Sequence, residues 1–147
     1  MRYAYTSDLH IRDVIRTDVL IVGAGIAGLY TALHIDRSKS VLVLSKESIE
    51  ISNSYLAQGG IAAAILPDDQ PTFHVEDTLV AGAGLCDRKA VEVLCAEGPD
   101  DIRELVGLHV PFDFNAYGDL SVGREGGHHK SRVVHAGGDA TGRETVK

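Results

Sequence analysis

Three groups of residues have types and spacings suited to chemistry. The first is Gly23-Ala24-Gly25-Ile26-Ala27-Gly28, a G-x-G-x-x-G run placed directly after the apolar stretch DVLIV (18–22) and before apolar residues at helical spacing, Ile26, Leu29, Tyr30 and Leu33. In that context Gly23 permits a tight turn, Gly25 lets a pyrophosphate approach the backbone, and Gly28 lets helix and sheet pack closely. The amides and dipole of the helix start then face the phosphates. Such sites often carry an acid about twenty residues on to bond a ribose. Here Ser45 and Lys46 stand in that place, offering a hydroxyl for ribose and a point charge for phosphate.

The second group is SNSYLAQGG at 52–60. Ser52, Asn53, Ser54 and Gln58 are uncharged donors and acceptors, and Gly59-Gly60 leaves backbone amides bare. A loop of this kind suits a flat heterocycle with donors and acceptors along one edge, although a turn before the strand IAAAI uses the same glycines. The third group is REGGHH at 124–129. His128 and His129 are adjacent, so in an extended piece they face opposite ways, and no third ligand has a suitable spacing; no metal is expected. His129 and His135 have the chemistry of a general base.

Hydropathy places these groups on elements. DVLIV and VLVL (41–44) are short continuous apolar runs of the kind formed by parallel strands covered on both faces. Strand, glycine turn, helix and strand in succession make a βαβ unit. A polar loop at 67–71 leads to a helix over 74–80. Asp87 reads as the N-cap of a helix through Ala96, and Gly98-Pro99 ends it, with Pro99 starting another to about Val106. Beyond Pro111 come extended pieces around a Tyr117-Gly118-Asp119 turn, a strand over 131–136 and the opening of a helix at Gly142. The fold class is α/β: a Rossmann-like βαβ unit, a following helical segment and a small β-hairpin region. No third βα repeat follows, so an incomplete domain is expected, with residues 1–16 a leader and 17–147 the N-terminal portion of a larger domain.

Composition narrows the partners. With 147 residues, 44% hydrophobic, the chain can bury a core, and a net charge of −7 argues against bulk attraction to nucleic acid or anionic lipid. No apolar run approaches the ~20 residues that span a bilayer, so no membrane is expected. Cys86 and Cys95 fall in the helical region at a separation that does not stack them, which predicts no disulfide framework and a reducing, cytoplasmic setting.

Taken together, DVLIVGAGIAGLYTAL, VLVLSKE, SNSYLAQGGIAAA, HVEDTLVAGAGLCD and REGGHHKSRVVHAGGDATGRE resemble the N-terminal part of the succinate dehydrogenase and fumarate reductase flavoprotein family, from Thr17 onward. Within that family they look like the branch that oxidises L-aspartate to iminoaspartate at the start of NAD biosynthesis. The resemblance implies FAD as cofactor, oxygen or fumarate as electron acceptor, and quinolinate synthase downstream. It implies that Gly23, Ala24, Gly25, Ile26, Ala27, Gly28, Ser45 and Lys46 hold the pyrophosphate and adenosine. By the same resemblance Asn53, Ser54, Tyr55, Leu56, Ala57, Gln58, Gly59 and Gly60 lie against the flavin ring. The position of Asn53 holds a histidine in the branch with covalently bound flavin; asparagine cannot form that bond, which implies non-covalent FAD. Glu125 stands where the dicarboxylate branch carries an apolar aromatic residue, and a carboxylate in a poorly solvated pocket would orient the substrate ammonium. The family's substrate arginines and histidine come from later segments and its capping domain is likewise later, so this chain alone is not expected to complete the site. A truncated FAD-binding module without turnover, or a fumarate reductase or succinate dehydrogenase fragment, is the alternative. Exposed strand edges predict self-association.

Overall fold

Val19–Val22 (β1) and Val41–Leu44 (β2) pair in parallel, from Val19 opposite Val41 to Val22 opposite Leu44, with Ile26–Leu33 (α1) as the crossover. The computed structural model describes residues 13–147; most of the expected leader, residues 1–12, lies outside the described residues. The chain divides into two units, Met1–Lys46 and Glu47–Lys147. In the first, the strand entry is pinned by polar groups: the Asp18 carboxylate accepts from the backbone N–H of Ser40 at 2.8 Å and from its hydroxyl at 2.7 Å. The expectation of strands covered on both faces is corrected. No described residue of this unit is buried, and Val22 is 77% exposed. Parallel strands are covered only where helices lie on both faces, and the described residues of this unit supply one helix.

The second unit begins with a 3-10 turn, Ile49–Ile51, and the short helix Asn53–Leu56 (α2), followed by Ile61–Ala62 (β3), Pro71–Ala81 (α3), Arg88–Gly107 (α4), Val122–Gly123 (β4), Val133–Val134 (β5) and Thr141–Val146 (α5). The sheet is antiparallel in the order β3-β5-β4, with Val134 opposite both Ile61 and Val122. Val134, Ala136, Ala63, Phe112 and Ile102 of α4 form the buried core.

Two expectations change here. The helix break at Gly98-Pro99 does not occur: α4 runs through it, because Val91, Cys95, Pro99 and Ile102 form one buried stripe. Burial of that stripe outweighs the ~3 kcal/mol that an interior proline costs. Cys86 lies in the turn between α3 and α4, not in a helix; it and buried Cys95 are both free thiols. Among the described residues no helix is long and apolar enough to cross a membrane.

Candidate functional site

In the first unit, α1 starts after Gly25, which has extended backbone (φ −78°, ψ 176°) and no side chain to cap the helix. Helix starts of this kind, in which no side chain caps the first turn, are where phosphate groups bind in dinucleotide folds. Gly23 has φ +116°, and its N–H donates to the Leu44 carbonyl at 2.8 Å. A Cβ on Gly28 would overlap the Gly23 carbonyl oxygen, whereas a Cβ on Gly23 would meet nothing within 4 Å. The turn is therefore closed against its own helix and open outward, and it fits a pyrophosphate. Ser45 and Lys46 follow β2 and are exposed.

In the second unit, residues 52–60 are not the open loop expected. The Ser52 hydroxyl accepts from the Tyr55 N–H at 3.1 Å and caps α2, so it serves the backbone. Asn53, Leu56, Ala57, Gln58 and Gly60 are exposed, whereas Ser54, Tyr55 and Gly59 are half-buried. The segment is held from behind by α5: the Gly142 N–H donates to the Ala57 carbonyl at 3.1 Å, and a Cβ on Gly142 would overlap the carbonyl oxygens of Ser54 and Ala57. Both glycines of the pair have tasks inside the chain. Gly59 turns it at φ +79°, and at Gly60 a Cβ would overlap the Val134 carbonyl oxygen of the central strand.

Glu125 lies in the loop after β4, where its Oε1 is 2.8 Å from His135 Nε2. Its side chain is 50% exposed, so the poorly solvated pocket expected around it is not formed by the described residues. The loop lies at the surface, and among the described residues only His135 fastens the carboxylate.

The sequence reading missed the buried ion network beneath that loop. Arg132 is fully buried and grips Asp69 with two parallel bonds, Nε to Oδ2 at 2.8 Å and Nη2 to Oδ1 at 2.9 Å, while Nη1 reaches Asp77 Oδ2 at 2.6 Å. His129 bonds Asp77 through both its ring and its N–H, and His128 Nδ1 lies 3.3 Å from Arg132. Thus His129 fastens REGGHH directly to α3, whereas His128 is tied to Arg132, which itself bonds Asp77 of α3. Burial would raise the Asp77 carboxyl, but the His129 bonds and the Arg132 guanidinium outweigh it and hold the group at about 2. His74, its ring tilted against that of His128, has a buried Nδ1 without a hydrogen-bond partner among the described residues; burial first, then the Arg132 and His128 charges, hold its ring below the usual histidine range. The signal was present in HVED, where His74 and Asp77 stand three apart on one helix face, and in an arginine just before the apolar pair VV. A cavity of about 280 Å³ between α3 and the Gly126-Gly127 loop is lined by Ala62, His74, Asp77 and His128 among others.

Residues 18–147 match the model of the family described as FAD binding domain. The chain is 48% identical over 131 residues to an L-aspartate oxidase of Streptomyces coelicolor, covering 88% of this chain and 23% of that protein. It is 53% identical over 129 residues to one of a Nostoc species, covering 88% of this chain and 22% of that protein. It therefore spans less than a quarter of the length of these two relatives. Among solved structures, a quinol fumarate reductase of E. coli superposes with a TM-score of 0.81 at 29% identity, over 88% of this chain and 23% of that one. With the βαβ unit and its outward-facing glycine turn already in place, these matches settle the family: the chain belongs to the FAD binding domain family.

Proposed function

We propose that this chain is the FAD-binding portion of an L-aspartate oxidase, which converts L-aspartate to iminoaspartate for the quinolinate branch of NAD biosynthesis. The observation that carries the reading is its 48% and 53% identity to L-aspartate oxidases over nearly the whole chain. The glycine turn supports FAD as the cofactor, because the helix start has no side-chain cap and the space beside Gly23 is open, as a helix start that receives a phosphate group needs. When bound, FAD supplies a two-electron acceptor. Residues 23–28 with Ser45 and Lys46 hold its pyrophosphate and adenosine, and residues 53–60 lie along the flavin without a covalent bond, since Asn53 has no group to make one. Glu125 orients the substrate ammonium. Oxygen or fumarate takes the electrons, and quinolinate synthase consumes the product.

Titrating the protein with FAD tests the cofactor reading. Flavin fluorescence should quench on binding, and acid precipitation should release all flavin into the supernatant; flavin retained on the pellet would overturn non-covalent binding. Peroxide formed on adding L-aspartate, and not on adding succinate, is the expected activity of the full-length protein that contains this chain. Turnover of succinate instead would place the protein with the dicarboxylate dehydrogenases.

A further inference from the structure

Along the central strand, side chains alternate. Val134 and Ala136 face the core with Ile102, while Val133 and His135 lie on the other face. Extending the Ile61–Val134 pairing by one residue sets Gly60 opposite His135. A Cβ on Gly60 would come within 2.9 Å of His135 Nε2, and one on Gly123 within 3.5 Å of its Cε1. The His135 ring thus lies over two positions without side chains, one on each neighbouring strand. Across that bare patch its Nε2 meets Glu125 Oε1 at 2.8 Å, with the imidazole 23% exposed and the carboxylate 50% exposed. An ionised carboxylate only accepts, so Nε2 is the donor and the bond fixes both the ring tautomer and the direction of the carboxylate.

We infer that His135 is a positioning residue for substrate selection: it holds the Glu125 carboxylate in the orientation that receives the ammonium of L-aspartate, and the glycines at 60 and 123 leave room for its ring. An exposed glutamate on a glycine-rich loop samples several rotamers, and fixing one carboxylate oxygen leaves the other for the substrate. The inference rests on the reading of Glu125 given above.

The test uses the FAD-loaded full-length protein that contains this chain, with His135→Leu, His135→Gln, Glu125→Gln and Glu125→Ala, alongside the ring ¹⁵N spectrum of His135. Losing one charge-assisted hydrogen bond predicts a rise of about tenfold in the KM for L-aspartate in His135→Leu. The inhibition constant of succinate, which lacks the ammonium, should stay within about twofold, because no step of its binding uses that bond. His135→Gln keeps an N–H donor near the same place and should restore most of the lost affinity. In the spectrum, the wild-type ring should be the Nε2–H tautomer, and Glu125→Ala should convert it to a mixture. If Glu125→Gln leaves the KM unchanged, the reading of Glu125 falls and this inference falls with it. If Glu125→Gln raises the KM but His135→Leu does not, or if the tautomer ignores Glu125, the inference alone is overturned.

Discussion

At the scale of single residues, Arg132 has the largest energetic consequences. Its guanidinium bonds two buried carboxylates, so removing it leaves Asp69 without an ionic partner and Asp77 with only its His129 bonds. Arg132→Leu should therefore cost about 3–5 kcal/mol in chemical denaturation, the range for breaking a buried pair from one side. The same network shapes acid unfolding. The Asp77 carboxyl lies at about 2 when folded against an ordinary 3.8, so its stabilisation is complete above that ordinary value and is lost as pH falls toward 2. The loss amounts to about 2 kcal/mol. The His74 ring has the opposite charge type. Because the fold favours its neutral form, the unfolded chain binds the proton more readily, and stability begins to fall as pH drops below the ordinary 6.5. Denaturation midpoints measured from pH 8 to pH 2 should show both legs, and His74→Leu should remove only the upper one.

At the scale of elements, glycine separates positions that need an absent side chain from positions that merely have one absent. A Cβ on Gly60 overlaps the backbone of β5, and backbone cannot yield as a side chain tip does. Gly60→Ala should destabilise the second unit by about 2 kcal/mol or more, since β3 must move off its neighbour. Gly98 lies within α4, and its added methyl would rest 3.8 Å from the Ala63 methyl in ordinary contact. Gly98→Ala should stabilise by about 0.5–1 kcal/mol through the unfolded chain's lost freedom. A thermal melt of the two variants side by side checks both signs. The element that the local sequence misrepresents is α4. Gly98-Pro99 is a strong break signal, yet four buried positions on one face carry the helix past it.

At the scale of the whole chain, the two units differ in kind. Residues 47–147 enclose a core around Val134 and Ile102, whereas the described residues up to Lys46 include none that is buried. Leu20, Val22, Leu33 and Leu44 are each more than half exposed there. Apolar strand and helix faces of that size seek cover. The isolated 147-residue chain should self-associate, with a weight-average mass in sedimentation that rises with concentration; a constant monomer mass would refute this.

What the sequence determined by itself was whatever short-range chemistry dictates. The βαβ unit was legible because G-x-G-x-x-G between an apolar run and a helical pattern has few other physical uses. The turn at Gly59 and the helix start at Asp87 were likewise readable, since their causes lie within a few residues. The family resemblance was legible because several such motifs recur in order. Tertiary structure alone decided the pairings across long separations. Arg132 finds Asp69 and Asp77 more than fifty residues away. His135 finds Glu125 only because the strands at Gly60 and Gly123 leave space for its ring. Spacing along a chain records none of this, because such contacts follow from which strand lies beside which. The two bare glycines at 59–60 show the division within one pair: a backbone angle that sequence foretells at the first, and at the second a close approach that only the neighbouring strand creates.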